Sequence, residues 1–125
     1  MKGNNFDSFL LWNFKNFKTD LSTIENKIKK SDVLITDGTH RIVGLSYKRE
    51  EFDAPLITLQ CMRNEVAYVK QVAFNNGIKV VENARLSALL FRKYTVGNYI
   101  QKEEYSTVAQ VYARLAKFKN KQQKS

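Results

Sequence analysis

The chain has 125 residues, 21 Lys and Arg against 12 Asp and Glu, a net charge of +9 and 43% apolar residues, including six Tyr and eight Phe. That length and apolar content suit one folded domain with an extension and argue against a disordered chain. One cysteine, Cys61, excludes an internal disulfide or a cysteine-built zinc cluster, and no stretch reaches the ~18 consecutive apolar residues of a membrane helix.

The amino-terminal third reads as a single helix. Leu10, Phe14, Phe17, Leu21, Ile24 and Ile28 form a stripe at alternating spacings of four and three, with Lys15, Lys18, Asp20, Lys27 and Lys29 off it. Phe9, Leu11 and Trp12 broaden the apolar face near its start. Such a face can pack on its own domain, pair with a partner or second copy, or lie at a membrane interface. The segment FDSFLLWNFKNF is interrupted by Asp7 and Lys15 and lacks the charged start and cleavage site of a secretory signal.

VLITDGTHRIVGLSY, from Val33 to Tyr47, pairs two strand-like runs around Asp37, Gly38, Thr39 and His40. Asp-Gly between such runs is a strong hairpin signal, since both residues tolerate the positive φ of a type I′ turn. A two-residue turn there predicts Thr36 opposite Thr39, Ile35 opposite His40 and Val33 opposite Ile42. Strands are expected at Val33–Thr36, Arg41–Tyr47 and Leu56–Leu59, with a charged loop from Lys48 to Asp53 closed by Ala54 and Pro55. Pro55 can open an edge strand and not a central one.

A helix runs from near Arg63 to Asn76, with Val66, Val69 and Ala73 on one face and a left-handed stop at Asn75-Asn76-Gly77. Ile78–Val81 reads as a short buried strand. Asn83 is placed to cap the helix Ala84–Tyr94, whose Leu86, Leu89 and Leu90 face inward. After a turn at Gly97, Tyr105, Val108, Ala109, Tyr112, Leu115 and Ala116 form the expected inner stripe of the last helix. The fold class is therefore α/β: a small mixed sheet of about four strands flanked by about four helices, with an N-terminal amphipathic helix.

The same residues carry a family resemblance. VLIT, DGTH and RIVGLSYKREEFDAPLITL, then EVAYVKQVAFNNGIKVVENARLSALLF and IQKEEYSTVAQVYARL, resemble in unbroken order the cytoplasmic domain of the FlhB/YscU/SpaS family, which are export-apparatus switch proteins of flagellar and type III secretion systems. In that family a strand leads into an Asn-Pro-Thr-His motif, where the Asn amide nitrogen attacks its own main-chain carbonyl and expels the proline. Here Asp37 stands at the Asn position and Gly38 at the Pro position, while Thr39 and His40 keep the family identities. A carboxylate has no nucleophilic nitrogen, so the resemblance, with these two departures, implies that self-cleavage is lost. His40, beside a turn and without a nucleophile, reads as a hydrogen-bonded structural group.

The resemblance implies a switch that works by contact with export substrates, a ruler protein and export-gate proteins, at the cytoplasmic face of the inner membrane. Relatives carry four membrane helices ahead of this domain, so the chain is expected to be a cytoplasmic portion or a truncated relative. Expected divisions are a linker helix over 1–30, the switch domain over 31–119 and a basic tail over 120–125. The ground near the turn, with Lys48, Arg49 and the loop to Asp53, is expected to bind the partner. The linker helix leaves room for membrane contact.

Other chemistry finds little support. Glu50-Glu51 and Glu103-Glu104 are adjacent pairs whose side chains diverge, and they read as solvated surface. One His and one Cys form no triad and no metal set, the five glycines form no phosphate loop, and no cofactor or separate substrate is expected. Cys61 reads as a small buried hydrophobe. The charge of +9 keeps a basic adaptor for nucleic acid or anionic lipid as the alternative, but the basic residues are spread along the chain with their one clear run at the end, so nucleic acid is not an expected partner.

Overall fold

The structure, a computed structural model, describes Phe6, Ser8 and residues 23–124, the side chains of 116–124 excepted. Helix α1 is described over residues 23–29. Next in the chain come β1 (Val33–Thr36), β2 (Arg41–Ser46), β3 (Leu56–Met62), α2 (Asn64–Asn75), β4 (Lys79–Glu82), α3 (Ala84–Lys93), a 3-10 turn (Lys102–Glu104) and α4 (Tyr105–Lys124). The strands form one sheet in the order β3-β2-β1-β4, with β1 and β4 parallel and the other pairs antiparallel.

All four residues of β1 are buried, as a strand covered on both faces requires. Alternation divides them. Val33 and Ile35 join Val43, Leu45 and Ile57 under Leu86 and Leu90 of α3 and Val108 and Val111 of α4. Leu34 joins Ile42, Leu59 and Cys61 on the other face, under Val66, Val69 and Ala73 of α2 and Ile28 of α1. The sheet is thus the middle of three layers.

Gly44 marks the tightest point of the sheet. Here β3 has an extra residue, Thr58, between the Gly44↔Leu59 and Leu45↔Ile57 pairs, and the Thr58 hydroxyl lies 2.6 Å from that of Ser31. A Cβ on Gly44 would sit 2.5 Å from Thr58 Oγ1 and 2.8 Å from Ser31 Oγ. The start of the β3 edge is covered: the Gly97 N–H donates to the Ile57 carbonyl at 2.9 Å, and the Ile100 N–H donates to the carbonyl of Pro55, just before the strand, at 2.8 Å.

Several expectations need correction. No two-residue turn forms: Thr36 pairs with Ile42 and Val33 with Leu45, which leaves five residues, 37–41, between the last paired positions and four between the strands. β3 runs three residues beyond Leu59, because its far half still pairs with β2. β4 is displaced by one residue to Lys79–Glu82 and is a half-buried edge strand. On α4, Tyr105 and Ala109 are exposed and Val111 is buried, so the inner stripe runs through Val108, Val111, Tyr112 and Leu115. In the N-terminal stripe, Ile24 and Ile28 pack against the α2 layer, whereas Leu10, Phe14, Phe17 and Leu21 lie outside the described residues.

Glu103 and Glu104 also part company. Glu103 is exposed, but Glu104 is buried, accepts a short hydrogen bond from the Tyr94 hydroxyl, and takes Lys93 Nζ at 3.1 Å. Tyr94 in turn accepts from the Gln101 N–H at 2.9 Å, tying the end of α3 to the start of α4. Burial raises the Glu104 carboxyl, but the Tyr94 and Lys93 donors outweigh it and leave it below its ordinary value of 4.5. A lowered carboxyl contributes stability above its unfolded pKa and loses it as pH falls through the folded value.

This packing sets two expected outcomes. Gly44→Ala should cost about 1–3 kcal/mol in urea unfolding, as overpacked sites do. Glu104→Gln should lower stability at pH 7 and flatten its decline below pH 4.5, checked by urea midpoints at neutral and acid pH.

Candidate functional site

The connection from β1 to β2 is organised around one carboxylate. Asp37 Oδ1 accepts the main-chain N–H groups of Thr39 at 3.2 Å, His40 at 2.8 Å and Arg41 at 3.0 Å. Asp37 N–H donates to the Arg41 carbonyl at 3.3 Å, and the Thr36 hydroxyl donates to the same carbonyl at 2.6 Å. This clasp replaces the two-residue turn: the aspartate serves three donors at once, which requires the longer loop. Burial raises the Asp37 carboxyl, but the three N–H donors with nearby His40 outweigh it and hold it below its ordinary value.

Gly38 stands at φ 113°, a region that disfavours side chains, and its N–H donates to Thr36 Oγ1 at 3.0 Å. Lys70 of α2 donates a short hydrogen bond to the Gly38 carbonyl. From β4, Glu82 Oε2 lies 2.9 Å from where a Gly38 Cβ would be. The loop is therefore tied to α2 through Lys70 and closely flanked by Glu82 of β4. Its His40 side chain is 79% exposed, with Nδ1 3.1 Å from Thr39 Oγ1 and 3.9 Å from Asp37 Oδ2. Sequence reasoning found the four loop residues but missed Lys70 and Glu82, since neither has a signal beyond charge at a helical or strand position.

Lys48, Arg49 and Asp53 are exposed but are not near this loop. They lie past the opposite end of β2, and five strand steps separate the two ends by roughly 17 Å. There Arg49, Asp53 and Pro55 line a groove of about 490 Å³ with Tyr105, Ala109 and Tyr112 of α4. This groove accounts for the exposure of Tyr105 and Ala109. Tyr112 is anchored at its base by donating to Asp32 Oδ2 at 2.9 Å, and the same oxygen accepts the Tyr47 N–H at 2.6 Å.

The remaining candidates are structural. Burial, with Glu65 alongside, pushes the Cys61 thiol up to about 12, so the thiolate is not available at neutral pH. Among the described residues no three His, Cys, Asp or Glu side chains are grouped to hold a metal, and no helix is long and apolar enough to cross a membrane.

The sequence profile of the FlhB HrpN YscU SpaS Family matches residues 15–115. The chain belongs to this family. The flagellar biosynthetic protein FlhB of Bacillus subtilis (strain 168) is 27% identical over 95 residues, covering 76% of this chain and 26% of that protein. Yop proteins translocation protein U of Yersinia pestis is 28% identical over 88 residues, covering 70% and 25%. The chain spans about a quarter of the length of the curated relatives it matches. Among solved structures, the EscU C-terminal domain with an Asn-to-Asp mutation superposes with a TM-score of 0.72 at 29% identity, over 75% of this chain and 86% of that one. The cytoplasmic domain of FlhB from Shewanella putrefaciens shares the fold, with a TM-score of 0.75 at 19% identity over 80% of this chain and 77% of that one. The family is one of flagellar and type III export components, and the four-stranded mixed sheet with its helices is the family's fold.

The clasp makes its own prediction. Asp37→Ala leaves three N–H groups without their acceptor and should cost about 2 kcal/mol in urea unfolding, while Asp37→Asn, which keeps one carbonyl oxygen, should cost less. Gly38→Ala should cost about 1–2 kcal/mol from its backbone conformation.

Proposed function

We propose that the chain is a cytoplasmic, non-cleaving member of the export switch family that works by contact while its Asp37–Arg41 loop stays covalently closed. The observation that carries this is the state of Asp37: a side chain without nitrogen, whose Oδ1 serves three main-chain N–H groups. The family reaction needs an amide nitrogen at this position and a leaving proline after it, and the chain has neither. One route remains, attack of Gly38 N on the Asp37 carboxyl. That would expel water and close a succinimide, which water would reopen to aspartate or isoaspartate with the chain still connected, and the Gly38 N–H is engaged with Thr36 Oγ1.

On this reading export substrates, a ruler protein and export-gate proteins meet the surface of the domain at the inner-membrane face. The groove between Arg49, Asp53 and α4 is the better partner site, because it joins exposed apolar area with charges of both signs, as contact sites do. The loop at the other end of β2 sets the shape of the second surface. Residues 1–30 serve as linker helix, 31–119 as the switch domain and 120–125 as a basic tail. The second reading, a basic adaptor for nucleic acid or anionic lipid, draws on the charge of +9 and differs in its steep loss of binding with salt.

Purified protein should remain one polypeptide of 14.5 kDa by intact mass; two fragments meeting at the Asp37–Gly38 bond would refute the closed loop. Asp37→Asn with Gly38→Pro should restore cleavage if the surrounding strands supply the family's geometry. Charge reversal at Lys48 and Arg49 should weaken capture of export components from a strain encoding such a system, with the melting temperature unchanged.

A further inference from the structure

Beside the clasped loop lies a cavity of about 340 Å³ lined by His40, Arg41, Met62 and Arg63. β2 and β3 bring these residues together, since Arg41 pairs with Met62 and the Arg63 N–H donates to the His40 carbonyl at 2.9 Å. Three of the four side chains are cationic or protonatable. Among the described residues Asp37 is the one acid paired with them, and its Oδ2 stays 3.7 Å from Arg41 Nη1, an ion pair without a hydrogen bond. Its Oδ1 is taken by the main chain. Arg63 has no ion pair among the described residues. The cavity therefore keeps guanidinium donors unspent, and with His40 neutral the two arginines exceed Asp37 by one positive charge.

We infer that this cavity binds a carboxylate, the acidic side chain of a peptide segment presented by a partner. Guanidinium forks match the two oxygens of a carboxylate, and one negative charge matches the surplus. Met62, 42% exposed, supplies an apolar wall for the methylenes that precede the carboxylate. Arg63 is also the one described non-glycine residue with positive φ, at 57°, so an arginine is held where glycine would rest without strain. The inference rests on this end of β2 alone. Its failure leaves the export reading and the groove untouched, and their failure leaves it untouched.

The chain's single histidine makes the test direct. The imidazole resonances of His40 are monitored by NMR while N-acetyl pentaglutamate amide is titrated into the full chain, with the pentaglutamine peptide and inorganic phosphate as separate arms. A saturable shift with pentaglutamate and none with pentaglutamine is expected. Arg63→Gly, which removes the cation and relaxes the backbone, and Arg41→Gln should each weaken binding about tenfold, the scale of one charged hydrogen bond. Arg92→Gln, an equal loss of charge on α3, should leave the affinity within about twofold. Absence of a saturable shift, equal weakening by Arg92→Gln, or unchanged affinity in the folded Arg63→Gly and Arg41→Gln variants would overturn the site. Tighter binding of phosphate than of the peptide would overturn its assignment to a carboxylate.

Discussion

The Asp37 carboxylate is the constraint on which the β1–β2 end of this domain depends. One oxygen accepts three successive main-chain N–H groups, from Thr39, His40 and Arg41. That fixes the length of the connection and the register of β2 against β1, and β2 then carries the register to β3. A slip of one residue would turn Ile42, Val43 and Leu45 to the wrong layers, because the sheet is buried on both faces. At the other end of β1, Asp32 plays a matching part by holding the Tyr47 N–H and the Tyr112 hydroxyl with one oxygen. A four-residue strand is thus bracketed by two aspartates: Asp37 ties it to the start of β2, and Asp32 ties it to the end of β2 and to α4.

Much of this was legible in the sequence, for physical reasons. The continuous apolar run of β1, the periodicity of α2 and α3 and the Asn83 cap are local signals, and Asn83 does accept the Leu86 N–H at 3.0 Å. The turn misled because Asp-Gly has two solutions, a type I′ turn and a side-chain clasp, and the clasped loop is met by Lys70, a donor distant in sequence. Tyr105 and Ala109 misled because a helical stripe does not reveal which of its members meets a loop and not the sheet. Glu104 misled because its partners, Lys93 and Tyr94, lie before the Gly97 turn and arrive only with the tertiary fold.

The two ends of β2 divide the surface into separate grounds. The Asp37 end is polar, cation-rich and clasped, and its cavity lies between β2 and β3. The far end is a groove with exposed tyrosines between the loop after β2 and α4. In the proposed function, cleavage chemistry is replaced by a closed loop, and both grounds persist in one form. A switch of this kind would be set by which partner occupies the surface, not by breaking the chain.

An ionised Asp37 fixes the conformation of the loop by accepting the main-chain N–H groups of Thr39, His40 and Arg41. The direct measurement is the pH titration of the Thr39, His40 and Arg41 amide proton shifts by NMR. All three amides should move together through one transition below the ordinary aspartate value of 3.8, the direction in which their hydrogen bonds displace Asp37. Three unrelated titrations, or a shared one at or above 3.8, would contradict the clasp and the account built on it.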